Sequence, residues 1–208
     1  DGFGGMTQGL FATLIIGTMI QQIGLLIGGS TGNVIYLLGK AAAALTSAGI
    51  GVGVAVKYGE SPLVTVSAAV AAMVGGYAGK ITGGTFFVDG NAVLAGPGEP
   101  LGAFIAAFAG ITCGHLVSGK TKVDIIVTPV ITIGAGSVVG LLVGPPISQM
   151  MTGLGSIINW ATEQRPFIMG IVVSVVMGMV LTLPISSAAL GIILNLSGLA
   201  AGAATIGC

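Results

Sequence analysis

Long apolar runs alternate with short polar loops along most of the chain. Seven such runs lie at 9–27, 34–56, 63–78, 101–117, 125–143, 167–183 and 185–206. Apolar runs of about 17–25 residues have the length of a helix that crosses a bilayer. The pattern therefore predicts an all-α, polytopic membrane bundle with about seven spanning or partly spanning segments.

Polar and turn-forming residues interrupt this pattern at two places. The segment 80–100, KITGGTFFVDGNAVLAGPGEP, is too polar and turn-rich to span, and its Asp89-Gly90 pair favours a tight turn. The last run is broken by Pro184 within LPISS. Lipid tolerates irregular backbone only where it packs on protein or lines a cavity. We therefore expect broken or re-entrant helices at these places.

The segment 147–160 has a different periodicity. Its apolar residues recur at spacings of one to four, which favours a separate amphipathic helix at the interface or under the bundle. The preceding VGPP resembles the earlier AGPGEP, because both place Gly-Pro before an apolar segment. This echo indicates either an internal repeat or two helix starts with Pro in the first turn, and we favour helix starts.

Composition excludes a water-facing surface. Hydrophobic residues make up 54% and charged residues 6%, with a mean hydropathy of +1.08, whereas soluble domains carry about 25% charged residues. The 38 glycines allow helices to approach closely.

The net charge is zero, which argues against nucleic acid as a partner. Cys113 and Cys208 provide no metal or disulfide spacing, and we interpret them as apolar thiols.

Two ionisable residues are candidates for binding a solute. Glu99, in GPGEP, could accept hydroxyl groups in a re-entrant loop, or could be a carboxylate favoured by a helix start. His115, the only histidine, lies at the end of an apolar run. It is either a structural residue or one that binds a proton or a hydroxyl group.

Polar residues between and within the later runs extend this set. Asn159 and Glu163 lie beside the only Trp, and this combination suits carbohydrate recognition or, alternatively, a solvated helix end. The LPISS turn adds Pro184, Ser186 and Ser187. Separately, helical spacing makes Asp124, Thr128 and Thr132 a polar stripe on the fifth run, which interhelical hydrogen bonds could also explain.

The positive loops predict the orientation of the chain in the membrane, and its sequence motifs bear on catalysis. Lys120 and Lys122 form the densest positive loop, which the positive-inside rule places in the cytoplasm, and Lys57 falls on the same side if every run spans fully. The chain contains no HExxH or CxxC motif, and its glycine-rich stretches match phosphate-loop patterns only trivially in a chain with this much glycine. It therefore predicts no catalytic residue, metal or cofactor, and its status as an enzyme stays open.

The runs 123–133, 139–194 and 197–208 resemble the EIIC family of the phosphotransferase system, as does GLFATLIIGTMIQQIG at 9–24. The likeness is greatest to a branch of stand-alone EIIC-like proteins, some named perfringolysin-regulator-type. It extends over the whole chain, which we interpret as one EIIC-like domain, 1–208. Because the chain starts at Asp1 and stops at Cys208 after an apolar run, we expect it to continue, at least beyond its C-terminus.

The resemblance implies a multi-pass permease of the bacterial inner membrane. It implies a homodimer that moves a sugar, polyol or related small polar solute by alternating access. Phosphorylation of the sugar would need a separate cytoplasmic IIB partner, because the chain contains no IIA or IIB region. A sensor or regulator that retains the fold but transports little is the alternative function.

Overall fold

The computed structural model of the protein describes residues 2–88, 91–93, 96–120, 122–164, 170, 171 and 175. The chain divides into two compact units, Asp1–Pro145 and Pro146–Cys208. All packing described below lies within the first unit. The predicted runs at 167–183 and 185–206 lie outside the described residues, apart from isolated positions in the first of them.

The first unit opens with a long antiparallel helical hairpin. Its first arm is continuous and its second arm is bent, and the elements are α1 (Gly2–Leu10), a π-helical turn (Phe11–Ile15), α2 (Ile16–Ile27), α3 (Gly29–Ala44) and α4 (Thr46–Lys57). Gly28 and Gly29 form the tip with φ of 66° and 64°, in the left-handed region that glycine adopts without steric cost. The chain can therefore reverse direction within two residues.

Glycine faces glycine along this hairpin. Gly9 lies against the backbone of Gly49, and a Cβ on Gly9 would lie 2.7 Å from the amide nitrogen of Ile50. Further along, a Cβ on Gly17 would lie 2.9 Å from the carbonyl oxygen of Gly39. Small residues at helix interfaces allow this close approach, which drives helix association in membranes through van der Waals packing. The glycine-rich start GFGGMTQG thus belongs to the first helix, which begins seven residues earlier than the predicted 9–27.

The second arm bends by 52° at Leu45, between α3 and α4. Hydropathy alone predicts one uninterrupted run over 34–56. At the bend the Thr46 hydroxyl donates to the carbonyl oxygen of Ala43 at 2.6 Å. Hydroxyl bonds of this kind compete with the helical ladder and bend helices. The bundle therefore contains a broken helix, as the fold class predicts, but this break lies within a run that the sequence predicts as uninterrupted.

The rest of the unit is a second antiparallel group of helices. Its elements are α5 (Pro62–Gly76), the short α6 (Ala78–Thr82), strands β1 (Phe87–Val88) and β2 (Asn91–Ala92), α7 (Pro100–Val117) and the part of α8 (Asp124–Gln164) that precedes Pro146. Ser61 caps α5 by accepting from the amide of Val64 at 3.4 Å, and Pro62 follows at the first helical position. Val88 pairs with Asn91 in the antiparallel ladder, while Asp89 and Gly90 lie outside the described residues.

Small side chains form much of the interior of this group. Ala68, Ala71, Ala106 and Ala107 are all fully buried. Glycines lie between the backbones, since a Cβ on Gly102 would lie 2.7 Å from the carbonyl oxygen of Gly75. The result is a bundle whose helices approach closely.

The helix α8 corrects one expectation. It continues for 41 residues, through Pro145 and Pro146, so VGPP does not start a helix and 147–160 is not a separate one. A proline ring fixes φ near the helical value, although it removes a backbone donor. Membrane helices tolerate this loss because neighbouring groups satisfy the freed carbonyls. By contrast, Pro100 does stand at the predicted start of α7.

Three helices among the described residues are long and apolar enough to cross a membrane. They are Gly2–Ile27, Pro100–Val117 and Asp124–Gly153. The bent pair of α3 and α4 adds a fourth if it forms one span, and α5 is apolar but shorter. These helices confirm the all-α membrane class within the described part of the chain.

Candidate functional site

The GPGEP loop, residues 96–100, packs against the bend at Leu45. Gly96 and Gly98 have φ of 79° and 75°. At Gly98 the space is restricted as well, because a Cβ there would collide with the Ser47 hydroxyl and lie 3.1 Å from the carbonyl oxygen of Gly76. Only glycine meets both conditions at this position.

Two side chains hold the loop in place. The Ser47 hydroxyl donates to the carbonyl oxygen of Pro97 at 3.0 Å. The Tyr77 hydroxyl lies within hydrogen-bond distance of the carbonyl oxygens of Gly96 and Ala44, the latter at 3.3 Å. A phenol has one proton, so it donates to one of these carbonyls at a time. Ala44 ends α3, and the carbonyls at a helix end lack intrahelical partners.

Glu99 lies where this loop enters α7. Its backbone amide donates to the carbonyl oxygen of Gly76 at 2.6 Å, which brings the two ends of the 77–98 excursion together. Its side chain makes no capping hydrogen bond to α7. The structure therefore brings Glu99 into the packed contact between the loop and the end of α5.

The Glu99 carboxyl group is only partly satisfied. Its Oε1 atom is buried and has no hydrogen-bond partner. Burial raises the pKa of Glu99 to about 7, because desolvation penalises the charged form. An unpaired buried acceptor costs about 1–3 kcal/mol. A ligand hydroxyl that donated to Oε1 would remove that cost.

The described residues provide no metal centre at this place. No group of three or more His, Cys, Asp or Glu side chains in the described ranges could hold a metal ion. The loop can contact a ligand through hydrogen bonds. One carboxyl oxygen of Glu99 is available for this, whereas the Ser47 and Tyr77 hydroxyls already donate to backbone carbonyls. Such a set suits a neutral hydroxylated ligand.

His115 lies at the opposite end of α7. It is sixteen residues from Glu99, which at 1.5 Å per residue separates the two positions by about 24 Å. His115 Nδ1 lies 3.0 Å from Glu60 Oε1, and the exposed side-chain fractions are 72% for His115 and 8% for Glu60. The structure does not bring His115 and Glu99 into one site.

The remaining predicted site residues lie beyond what the structure describes in detail. Asn159 and Glu163 are on α8, one helical turn apart, but their side chains are outside the described set. Pro184, Ser186 and Ser187 lie outside the described residues. Of the seven predicted positions, the side chains of Glu99 and His115 are therefore the two that can be placed.

The polar stripe on α8 faces the interior. Thr128 and Thr132 are both fully buried. Thr128 donates to Asp124 Oδ1 at 2.6 Å, and the amide of Gly119 donates to the same atom at 3.0 Å. Thr132 Oγ1 is buried without a partner, next to Gly114. The two threonines are thus part of the packed helix contact, but neither of these hydrogen bonds joins two helices, so the stripe shows no interhelical hydrogen bond among the described residues.

Sequence reasoning missed the two hydroxyls that hold the loop, Ser47 and Tyr77. Ser47 lies in AAAALTSAG, a stretch without Pro that resembles ordinary span. A Ser-Thr pair inside an apolar run was the one available signal, since such hydroxyls hydrogen-bond to carbonyls. Glu60 was also missed, although a lone carboxylate in KYGESP marks a helix boundary.

Comparison with known proteins yields one match. The model of the family described as "Phosphotransferase system, EIIC" matches residues 1–208, the whole chain. No curated protein and no solved structure matches significantly.

Proposed function

Because the chain belongs to the EIIC family of the phosphotransferase system, we propose that it carries a sugar or polyol by alternating access, with Glu99 contacting the solute. Membership makes it a multi-pass membrane protein and a component of membrane sugar transport. The proposal adds the class of solute, the residue that binds it and the mode of movement.

The free oxygen of Glu99 is the observation that carries this proposal. A buried carboxyl oxygen without a partner is rare in proteins and calls for an explanation. A sugar or polyol presents several hydroxyl donors, and one of these would complete the hydrogen bonding of Oε1. Uncharged solutes suit a carboxyl whose pKa is raised to about 7 by burial, because neither form then needs a counter-charge in the ligand.

The bend at Leu45 supports the alternating-access part. It is anchored to the solute loop through Ser47 and Pro97. Broken helices beside a site are how secondary transporters present backbone groups to a solute. A change in the bend would displace the loop, and with it Glu99.

Membership of the EIIC family also suggests the location, the oligomeric state and the partner of this carrier. We place it in a bacterial inner membrane as a homodimer, with a separate cytoplasmic IIB protein as the partner for phosphorylation. Asn159, Glu163, Pro184, Ser186 and Ser187 remain proposed as further solute contacts.

Solute binding and uptake test the proposal. Full-length protein in proteoliposomes would be screened with radiolabelled sugars and polyols, and binding measured by calorimetry. Glu99→Gln should weaken binding at least about tenfold, because hydrogen bonds to a charged or ionisable group contribute about 1.5–3 kcal/mol. Glu60→Gln, which removes a carboxylate from the other end of α7, should leave binding unchanged. Folded protein that neither binds nor transports any member of the panel would contradict the proposal.

A second assay addresses coupling. Vesicles containing the protein would be incubated with phosphoenolpyruvate and the soluble phosphotransferase proteins, including a IIB protein. Appearance of phosphosugar inside the vesicles would establish vectorial phosphorylation. Uptake of unmodified sugar under the same conditions would show transport without phosphorylation.

A further inference from the structure

A groove of about 340 Å³ lies at the His115 end of α7. Its walls are mostly apolar, with the Glu60–His115 pair among them. The rings of Tyr58 and Phe108 lie 6.0 Å apart, and both are about half exposed. Leu116 is 61% exposed. The groove therefore faces outward from the helices of the first unit.

An aromatic row continues from the groove along α7. Phe108 stacks on Phe104, with centroids 6.3 Å apart, and Phe104 stacks on Phe3 at 4.8 Å. Phe108 lies near the middle of α7 and Phe104 lies one helical turn closer to Pro100, so the row runs along the span away from the His115 end. Its outer surface is apolar throughout.

The ends of four helices meet beside the groove. The hydroxyls of Ser61 and Ser118 lie 3.3 Å apart, which joins the start of α5 to the end of α7. The ion pair joins His115 to the α4–α5 loop. Asp124, which begins α8, accepts from the amide of Gly119. This end of the bundle is therefore one face at one side of the membrane.

Positive charge predominates on this face. Lys57, Lys120 and Lys122 are exposed there, and none of them forms an ion pair in the part of the chain that the structure describes. The two carboxylates of the face already have donors, from His115 for Glu60 and from Thr128 and Gly119 for Asp124. By the positive-inside rule this is the cytoplasmic face.

We propose that this groove is a binding site for one anionic glycerophospholipid of the inner leaflet. Glu60 Oε1 lies 3.0 Å from His115 Nδ1, which leaves the other ring nitrogen, Nε2, available to contact the lipid headgroup. The three lysines attract the same negative headgroup. An acyl chain lies along Phe108 and Phe104, where it covers apolar surface at the depth of the hydrocarbon.

The positive charge of the face and the course of the aromatic row favour an anionic lipid over a sugar as the occupant of the groove. A sugar would leave the apolar row exposed and would gain nothing from the lysines. An anionic lipid matches both the positive face, where Tyr58 stands as an interfacial aromatic residue, and the apolar row that extends deeper along the span. The proposal does not depend on the solute site at Glu99, which lies at the other end of α7.

Lipid retention measures this site directly. Full-length protein would be reconstituted with phosphatidylglycerol and phosphatidylcholine in equal amounts, extracted with mild detergent and examined by native mass spectrometry. The expected result is one strongly retained phosphatidylglycerol per chain. Equal retention of the two lipids, or retention of none, would overturn the proposal.

Variants distinguish the groove from general attraction to the lysines. His115→Gln should reduce phosphatidylglycerol retention about fivefold, the effect of losing one hydrogen bond worth about 1 kcal/mol. Phe108→Ala should also weaken retention, while Phe11→Ala, which removes a similarly exposed ring elsewhere, should have no effect.

Replacing Lys57, Lys120 and Lys122 one at a time by Gln should also lower the retention of phosphatidylglycerol. If only the lysine variants lower retention and the His115 and Phe108 variants do not, the lipid binds the charged face without the groove, and the proposal fails. Thermal unfolding of each variant in lipid-free detergent controls for folding. Inorganic phosphate and glycerol phosphate at matched concentration should not displace the lipid, because neither supplies an acyl chain.

Discussion

The Ser47 hydroxyl and the Pro97 carbonyl oxygen are joined at 3.0 Å, although fifty residues separate them in the chain. Ser47 is two residues beyond the bend at Leu45, and Pro97 is two residues before Glu99. This bond therefore transmits the geometry of a broken helix to the loop that holds the candidate solute-binding carboxyl. Straightening of the bend would break this bond and leave the loop held by Tyr77 and by the Glu99 amide.

Replacing Gly98 by alanine should disrupt this contact. The left-handed backbone itself would cost about 1–2 kcal/mol, and the new Cβ would collide with Ser47 and approach the Gly76 carbonyl, which adds about 1–3 kcal/mol. Gly84→Ala is the matched control, because its φ of 70° is similar but no atom lies within 4 Å of its Cβ position. Thermal unfolding in one detergent should show the greater loss for Gly98→Ala. Equal losses would mean that the loop is not tightly packed on the bend.

The raised pKa of Glu99 predicts a dependence of stability on pH. The folded-state pKa is about 7, above the ordinary value of 4.5. Between these values the folded protein binds more protons than the unfolded chain, so stability falls as pH rises. The contribution of the protonated carboxyl is fully present below 4.5 and is lost as pH rises through about 7.

Glu99→Gln should remove this part of the pH profile, because the amide does not titrate. Unfolding temperature measured across the same pH range would compare the variant with the natural protein. Glu60→Gln serves as the control, and it should leave the decline through pH 7 in place. Identical profiles for Glu99→Gln and the natural protein would show that another group causes the decline.

The glycine contact between α1 and α4 predicts opposite effects of two alanine substitutions on one helix. At Gly9 a Cβ would collide with the backbone of Gly49 and Ile50, so Gly9→Ala should destabilise by about 1–3 kcal/mol. At Gly4 the nearest atom is Lys57 Cε at 3.9 Å, so Gly4→Ala should stabilise by about 0.5–1 kcal/mol through helix propensity. Unfolding in detergent measures both, and a neutral Gly9→Ala would mean that the helices do not approach this closely.

The two buried threonines of α8 should respond differently to valine. Thr128→Val removes the 2.6 Å bond to Asp124 and should cost about 1.5–3 kcal/mol, the range for hydrogen bonds to charged groups. Thr132 Oγ1 has no partner, so Thr132→Val replaces an unsatisfied hydroxyl by a methyl of similar size and should be neutral or stabilising. A large loss at Thr132 would indicate that its hydroxyl has a ligand.

Hydropathy predicted the well-bounded helices accurately. The runs at 63–78 and 101–117 correspond to Pro62–Gly76 and Pro100–Val117, where Pro and Ser mark the starts. Hydropathy failed where tertiary packing determines whether a helix bends or continues. The bend at Leu45 depends on hydroxyl bonds and on the docked loop, and the continuation of α8 past Pro146 depends on backbone that tolerates proline. No local apolar pattern records either of these.

The candidate site was predictable only in part. Glu99 could be chosen from the sequence because a carboxylate between two prolines and glycines in a membrane chain is unusual. Its neighbours Ser47 and Tyr77 could not, because they lie 52 and 22 residues before Glu99 in the chain and nothing in their local sequence links them to it. His115 was also chosen, but it and Glu99 stand at opposite ends of one helix, α7, and therefore do not form one site.

The helix α7 meets its neighbours largely through glycine and alanine, as at Gly102 against Gly75 and at Gly110 against Gly136. Side chains of this size have no rotamers, so a small shift of α7 along α5 or α8 requires no side chain to cross a torsional barrier. The two ends of α7 carry Glu99 and His115. A single rigid displacement of this helix would therefore alter the proposed solute contact at one end and the proposed lipid contact at the other simultaneously.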